Sequence, residues 1–355
     1  MEQAELERKI EQARSHQWEQ LKLSHHQLNI LPDSIKNLSH ITYLDLRYNR
    51  LNTLPESIGD LYELTGLDVS NNQLNILPSN IGSLSNLTSL DLHNNQLNTL
   101  PDGIGNLSSL TWILLDNNQL SVLPESFGNL YKLGCLYLDN NQLTELPSNI
   151  GNLSNLTVLS LRNNRLNIFP EVITSLLSLE ELNLDDNSLI DLPNSITHLK
   201  YLKAIDLNNN PFTDLSILQS ISSLSHVLFL NVDLPRRYWT NLSEWKSEWL
   251  LDEENVEIRR LLIEELGYEK IHKEIAAVEL DNWREYTLLK IDSIETIYSV
   301  YGKAIGTEPM VLLKMTCPST GHIHILRVPP EMTSAEAAIT WINHGIHPDE
   351  FAIQT

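Results

Sequence analysis

The chain has 355 residues, 41% of them hydrophobic, and 24 Lys and Arg against 46 Asp and Glu, for a net charge of −22. That length suits two domains, and the acidity runs throughout: 9 basic to 21 acidic residues over 18–224, and 12 to 21 over 225–355. Such a surface repels phosphate backbones and anionic lipid, which excludes nucleic acid and membrane as partners and favours a protein partner with a basic surface.

Two cysteines, Cys135 and Cys317, argue against a disulfide framework and for a reducing, cytoplasmic compartment. Met1 to Gln17 is charged and polar, unlike a signal peptide. No apolar run approaches the ~18 residues that span a bilayer.

Residues 1–17 open the chain with an amphipathic helix, read over 2–16, that puts Leu6, Ile10 and Ala13 on one face. A stack of repeats leaves its first core layer open to water, and a helix over that end caps it. The repeats are marked by Asn49, Asn72, Asn95, Asn118, Asn141, Asn164, Asn187 and Asn210, at a spacing of 23 residues. Each closes L-x-x-L-x-L-x-x-N-x-L. The full phrase runs on through L-P-x-x-I-x-x-L, as in Leu87, Leu90, Leu92, Asn95, Leu97, Leu100, Pro101, Ile104 and Leu107. A strict period of this length means that one supersecondary unit is built repeatedly and stacked. Nine repeats over 18–224 begin at Trp18, Ile41, Leu64, Leu87, Leu110, Leu133, Leu156, Leu179 and Leu202. The first has His26 where the asparagine belongs. The last keeps Asn210, loses its L-P pair and runs to Leu224, where the regular stack is expected to stop.

Within a repeat, L-x-L reads as a short parallel strand with leucines inward and the intervening residues toward solvent. The asparagine falls in the following turn, where its amide can satisfy backbone groups of neighbouring coils. The proline holds the chain extended on its way to the outer side. The I-x-x-L spacing suits a short helical turn there. Strands on one side and compact turns on the other curve the stack, and at ~4.8 Å per strand nine repeats give a concave sheet roughly 40 Å along its arc.

This pattern resembles the leucine-rich repeat family in its 23-residue cytosolic form. Its spacing is similar to that of Ras-binding scaffold proteins and of the repeat regions of bacterial Roco GTPases, and the lead-in Ile10-Glu11-Gln12-Ala13-Arg14 with Leu21-Lys22-Leu23 resembles the latter. The resemblance implies an α/β solenoid that recognises proteins. No G-x-x-x-x-G-K-[ST] phosphate loop occurs in the chain, so GTPase activity is not carried over.

Composition changes after Asn231. Residues 225–254 read as a cap and linker with a helix from Leu242 to Leu251, and 255–355 as a small α+β domain. Its expected elements are a helix over 255–266 stopped by Gly267, a short helix over 268–275, strands over 277–280, 286–291, 309–316 and 322–328, and a helix over 335–343 capped by Ser334. Pro318-Ser319-Thr320-Gly321 is the turn between the last two strands. This segment resembles a C-terminal domain of uncharacterised bacterial proteins. It shares Arg259-Arg260, Gly267-Tyr268-Glu269, Glu308-Pro309, Leu326-Arg327-Val328-Pro329-Pro330 and Ala335-Glu336-Ala337 with Trp341. The resemblance brings no activity with it.

The period sorts residues onto the concave face. Tyr43, Arg47, Tyr48, Trp112, Leu114, Tyr137, Val158 and Arg162 are the candidate partner-binding residues. Trp112, Leu114, Cys135, Tyr137 and Val158 fall on neighbouring strands in the same two columns, an apolar patch with aromatics flanked by charge, which is the composition of an interaction hot spot. Asp45, Asp68 and Asp91 share a column on adjacent strands and read as solvated repeat filler in preference to a site for a basic partner or a cation. His322 and His324 alternate on one strand near Cys317, with His344 and His347 later. Their spacing fits no zinc motif, and a nucleophilic Cys317 would need a base and an oxyanion hole. No catalytic residue, metal or cofactor is expected. The chain reads as a monomeric, non-enzymatic recognition protein, with an enzyme or effector whose chemistry lies in the C-terminal domain as the alternative.

Overall fold

A computed structural model describes residues 2–253, 255–267, 270–271, 278–283, 286–296, 306–316, 323–328 and 332–342. The chain divides into two compact units, Met1–Asn241 and Leu242–Thr355.

The first unit opens with helix α1, Gln3–Ser15, which buries Leu6, Ile10 and Ala13, the residues its periodicity puts on one face. It packs on the first outer turn, where Ser34 donates to Glu7. Strands β1 to β11 follow as one sheet in sequence order. They are Gln20–Lys22, Tyr43–Asp45, Gly66–Asp68, Ser89–Asp91, Trp112–Leu114, Cys135–Tyr137, Val158–Ser160, Glu181–Asn183, Ala204–Asp206, His226–Phe229 and Val232–Asp233. From β1 to β9 the parallel register steps by the period of the sequence: Tyr43 pairs with Gly66, Gly66 with Ser89, Ser89 with Trp112. Each strand buries its middle residue, such as Leu44, Leu90, Ile113, Leu136 and Leu159, all at 0% exposure.

The asparagines form a continuous spine. Asn118 Nδ2 donates to Leu92 O and Leu115 O, both at 3.0 Å, and its Oδ1 accepts from Leu97 N at 3.0 Å. One buried amide thus bonds carbonyls of two coils, each shared with a neighbouring spine asparagine, and gives the Leu97 N–H of the coil before an acceptor it would otherwise lack in the bend. The residue before each spine asparagine is left-handed: Asn71, Asn94, Asn117, Asn140, Asn163, Asp186 and Asn209 have φ of 50–56°. Asn and Asp tolerate that region best among non-glycine residues.

On the outer side the L-P pair leads into a 3-10 turn, Glu56–Asp60 in one coil and Asp102–Asn106 two coils on. Successive turns approach closely. A Cβ at Gly105 would lie 2.2 Å from Ser126 O, and one at Gly128 2.1 Å from Asn149 O. At Gly105 and Gly128 the missing Cβ is what permits that approach. In the later coils Thr174 and Thr197 take this step.

The sheet does not end at Leu224. Strand β10 continues the parallel pairing, with Ala204 opposite His226, because Val227 and Phe229 still alternate inward although the L-P pair is gone. A turn through Leu230 and Asn231, both at positive φ, then folds β11 back antiparallel to β10. The core ends in buried Tyr238 and Trp239. Trp239 Nε1 donates to Leu234 O at 2.8 Å, and the Arg236 guanidinium lies 5.2 Å from the Trp239 ring.

In the second unit the helix expected from Leu242 to Leu251 is broken. A 3-10 turn, Leu242–Glu244, precedes α2, Trp249–Asp252, and the chain between them turns Trp245 and Ser247 inward to near-complete burial. Helix α3, Val256–Leu266, is capped by Asn255 Oδ1, which accepts from Glu257 N and Ile258 N, and ends at Gly267 with φ of 73°. Strands β12 (Val278–Trp283), β13 (Tyr286–Thr296), β14 (Gly306–Thr316) and β15 (Ile323–Val328) form a sequential antiparallel sheet. Strands β13 and β14 are longer than their sequence patterns indicated, with a register shift between Ile291 and Ile294. Helix α4, Ala335–Ile342, starts where Ala337 N donates to Ser334 Oγ at 3.2 Å. Ala335, Ala338 and Ile339 pack with Leu313 and Val328. The turn at Pro318–Gly321, most of 268–275, and Cys317, His322, His344 and His347 lie outside the described residues.

Candidate partner-binding face

The parallel register lines the concave residues into two columns. One runs Tyr43, Gly66, Ser89, Trp112, Cys135, Val158, Glu181, Ala204, and the other Asp45, Asp68, Asp91, Leu114, Tyr137, Ser160, Asn183, Asp206. Trp112, Cys135 and Val158 are therefore immediate neighbours on β5, β6 and β7, and Leu114 lies beside Tyr137. All five are half-buried, not open to solvent, because side chains at one strand spacing shield each other. Burial, with the neighbouring Cys135 and Glu181, holds the Tyr137 phenol above its ordinary pKa.

Of the remaining candidates, Tyr43, Arg47 and Tyr48 lie on or just after β2, with β3 and β4 between them and the patch, and Arg162 follows β7. Tyr43 lies across Gly66, where a Cβ would come within 2.6 Å of its ring, so the glycine creates the seat for the tyrosine. Arg47 reaches back to Asp45 Oδ2 at 3.3 Å and toward Asp68 Oδ2 at 3.8 Å. Tyr48, 49% exposed, is left-handed at φ 55° where the seven coils after it carry Asn or Asp, and its ring stacks at 4.4 Å on His25, which holds the same position one coil earlier. Arg162, on the other side of the patch, holds Asp186 Oδ2 at 3.0 Å.

The aspartate column differs from its reading as solvated filler. Asp45 and Asp68 are 1% and 8% exposed, and they fold back to accept the N–H two residues on: Arg47 N at 3.2 Å and Ser70 N at 3.1 Å. Asp91 does the same with His93 N at 3.1 Å and also takes the His93 ring at 2.6 Å. These are turn-stabilising carboxylates. Burial raises the Asp91 pKa, and its bonds to His93 oppose that rise.

Sequence reasoning stopped at the coil of Arg162 and missed what lies beyond. A cavity of ≈ 160 Å³ is lined by Tyr137, Val158, Leu159, Ser160, Glu181, Leu182, Asn183, Ala204 and Asp206. The signal was present, since Glu181, Ala204 and Asp206 occupy the same two columns one and two strands on. Asp206 is pushed up to about 6, first by burial and then by Asp185, Glu181 and Asp233, against the opposing charge of Arg162. Among the described residues no group of three or more His, Cys, Asp or Glu is placed to hold a metal, and no helix is long and apolar enough to cross a membrane.

The leucine-rich repeat region family matches the chain over residues 19–117, 80–168 and 116–285. No curated protein matches it. Among solved structures the chain is similar to a leucine-rich repeat protein of Leptospira interrogans, with 31% identity over 59% of this chain and a TM-score of 0.47. It is also similar to the leucine-rich repeat ectodomain of a plant membrane receptor kinase from Arabidopsis thaliana, in complex with Casparian strip integrity factor 2, at 31% identity over 62% of this chain and a TM-score of 0.54. The functional domain of InlJ from Listeria monocytogenes shares the fold at 22% identity over 60% of this chain and a TM-score of 0.52. The chain spans 66%, 28% and 44% of the lengths of these three. A 23-residue register, a buried asparagine spine and a match that runs over most of the chain have one reading: this chain belongs to the leucine-rich repeat family, whose domains generally mediate protein–protein interaction.

Proposed function

We propose that this chain is a non-enzymatic scaffold or adaptor that binds a basic protein partner on the concave face of its repeat arc. The observation that carries the reading is the patch of Trp112, Cys135 and Val158 beside Leu114 and Tyr137, on three adjacent strands with Arg162 just after the third. Aromatic anchors within a polar rim are the composition of binding hot spots. A rigid sheet offers them without ordering entropy on binding. The plant receptor ectodomain, crystallised with its factor, supports a recognition role for repeats of this kind. The net charge of −22 supports a basic partner over nucleic acid or an anionic membrane surface. Two cysteines support a cytoplasmic setting, and the likeness to Roco repeats and Ras-binding scaffolds supports a place in signalling. In this reading the protein acts as a monomer, the repeats over 18–224 supply the arc, and the domain over 255–355 positions the partner or holds a second one.

The test is capture from extracts of the native cell by the full chain, by Trp112→Ala with Tyr137→Ala, and by Tyr62→Ala, a 54% exposed residue outside the two columns. The half-buried anchors carry some stability, so capture is run where circular dichroism shows all three folded. A protein held by the parent and by Tyr62→Ala, and lost from the double variant, is the expected result. Equal capture by all three refutes the concave patch.

A further inference from the structure

The concave cavity over β6 to β9 has two kinds of lining. Tyr137, Val158 and Ala204 make it apolar, and Glu181 and Asp206 bring carboxylates to it.

Asp206 stands apart from the other aspartates of this face. Asp45, Asp68 and Asp91 each accept a backbone N–H of their own turn. Asp139 accepts Arg162 N and Asp185 accepts Asn208 N, both from the next coil. Among the described residues no hydrogen bond or ion pair reaches the Asp206 carboxylate, and three further acids surround it: Asp185, Glu181 and Asp233. The basic side chains of the neighbourhood are engaged elsewhere. Arg162 holds Asp186 at 3.0 Å, Lys203 holds Glu180 at 2.5 Å, and His226 meets Asp233 at 3.0 Å. A half-buried carboxylate without a partner is unfavourable, and a cation delivered into the cavity removes the penalty.

The shape of the lining selects the kind of cation. The two carboxylates are too few to enclose a bare metal ion. A long basic side chain fits both halves, its methylene stem lying along apolar wall and its charge emerging at the acids. The Tyr137 ring adds a face that attracts cations. Building on the concave-face reading above, we propose that this cavity seats a lysine or arginine side chain of the protein partner, with its stem against Tyr137 and Val158 and its charge on Asp206 and Glu181.

Binding of this kind depends on pH. The groups acting on Asp206 are Glu181 and Asp185 from β8 and its turn, Arg162 after β7 and Asp233 from β11, with His226 of β10 held on Asp233. Burial and the three acids keep Asp206 at about 6. Protonation removes the charge the cation needs, so affinity falls roughly tenfold between about pH 7 and about pH 5.

The experiment uses a random-peptide display library selected on the full chain, with enriched peptides synthesised and titrated by fluorescence anisotropy. Three proteins are compared: the parent, Asp206→Asn and Trp112→Ala. The proposal expects a shared basic residue among enriched peptides. It also expects about tenfold or greater weakening on Asp206→Asn and on replacement of that residue by norleucine, and a matching loss at low pH. Peptides sensitive to Trp112→Ala but indifferent to Asp206→Asn, or enriched without a basic residue, overturn the cavity and leave the concave face standing. Peptides indifferent to both variants overturn both readings.

Discussion

Replacing Asp206 by Asn tests the strain in the acidic end of the arc through stability alone. The carboxylate is raised from 3.8 to about 6 in the folded chain. A raised acid favours the protonated folded state. Its contribution is therefore fully present below pH 3.8 and is lost as pH rises through about 6, so ionised Asp206 weakens the fold at neutral pH. Two pKa units correspond to roughly 3 kcal/mol, and solvent screening at a half-buried site reduces this to about 1 kcal/mol. Asparagine has the same shape, carries no charge and breaks no side-chain hydrogen bond. Asp206→Asn should raise the melting temperature by about 2–4 °C at neutral pH. The gain should shrink through the window between 3.8 and about 6 and vanish below it. High salt should reduce it only in part, because burial is the leading cause and salt screens only the charges. Scanning calorimetry of both proteins across that range gives the answer. A destabilised variant at neutral pH, or a shift that does not change with pH, refutes the reasoning.

Two further substitutions probe the scaffold. Asn118→Ala leaves Leu97 N without its acceptor, while Leu92 O keeps Asn95 Nδ2 and Leu115 O keeps Asn141 Nδ2 as donors. It should cost roughly 1–3 kcal/mol by urea denaturation, and a loss under about 0.5 kcal/mol would mean that water replaces the amide. Gly128→Ala forces a Cβ to within 2.1 Å of Asn149 O, whereas at Gly134 the nearest atom is Thr111 O at 3.8 Å. The first should cost about 1–3 kcal/mol and the second almost nothing in paired thermal melts, and equal effects would show that the outer turns do not approach as described.

How much was legible in the sequence follows from which interactions are periodic. The strand register, the leucine core, the asparagine spine and the outer turns recur every 23 residues. A residue's place in the period then decides whether its side chain faces core, turn or solvent. For the same reason the period alone puts Trp112, Leu114, Tyr137 and Val158 side by side. Tyr43 over Gly66 was half legible. The column was readable, but the ring's lean across the next strand is a packing outcome.

What the period could not determine was the partner of each side chain. Asp45, Asp68, Asp91, Asp139, Asp185 and Asp206 look alike as acids on one face. Five of them end on backbone N–H groups, and only the local bend decides whether such a donor is within reach. Asp206 is left over, beside a cavity whose lining includes the short side chains of Val158, Ser160 and Ala204. The end of the stack was hidden for a related reason. Val227 and Phe229 keep the two-residue alternation that pairs strands after the longer repeat has lapsed, so the sheet runs on past Leu224 until Tyr238 and Trp239 close it. Sequence alone thus determined the architecture, because a repeated pattern imposes a repeated geometry. Tertiary structure decided where that architecture stops and which carboxylate it leaves unpaired, because both depend on contacts between coils that no single repeat contains.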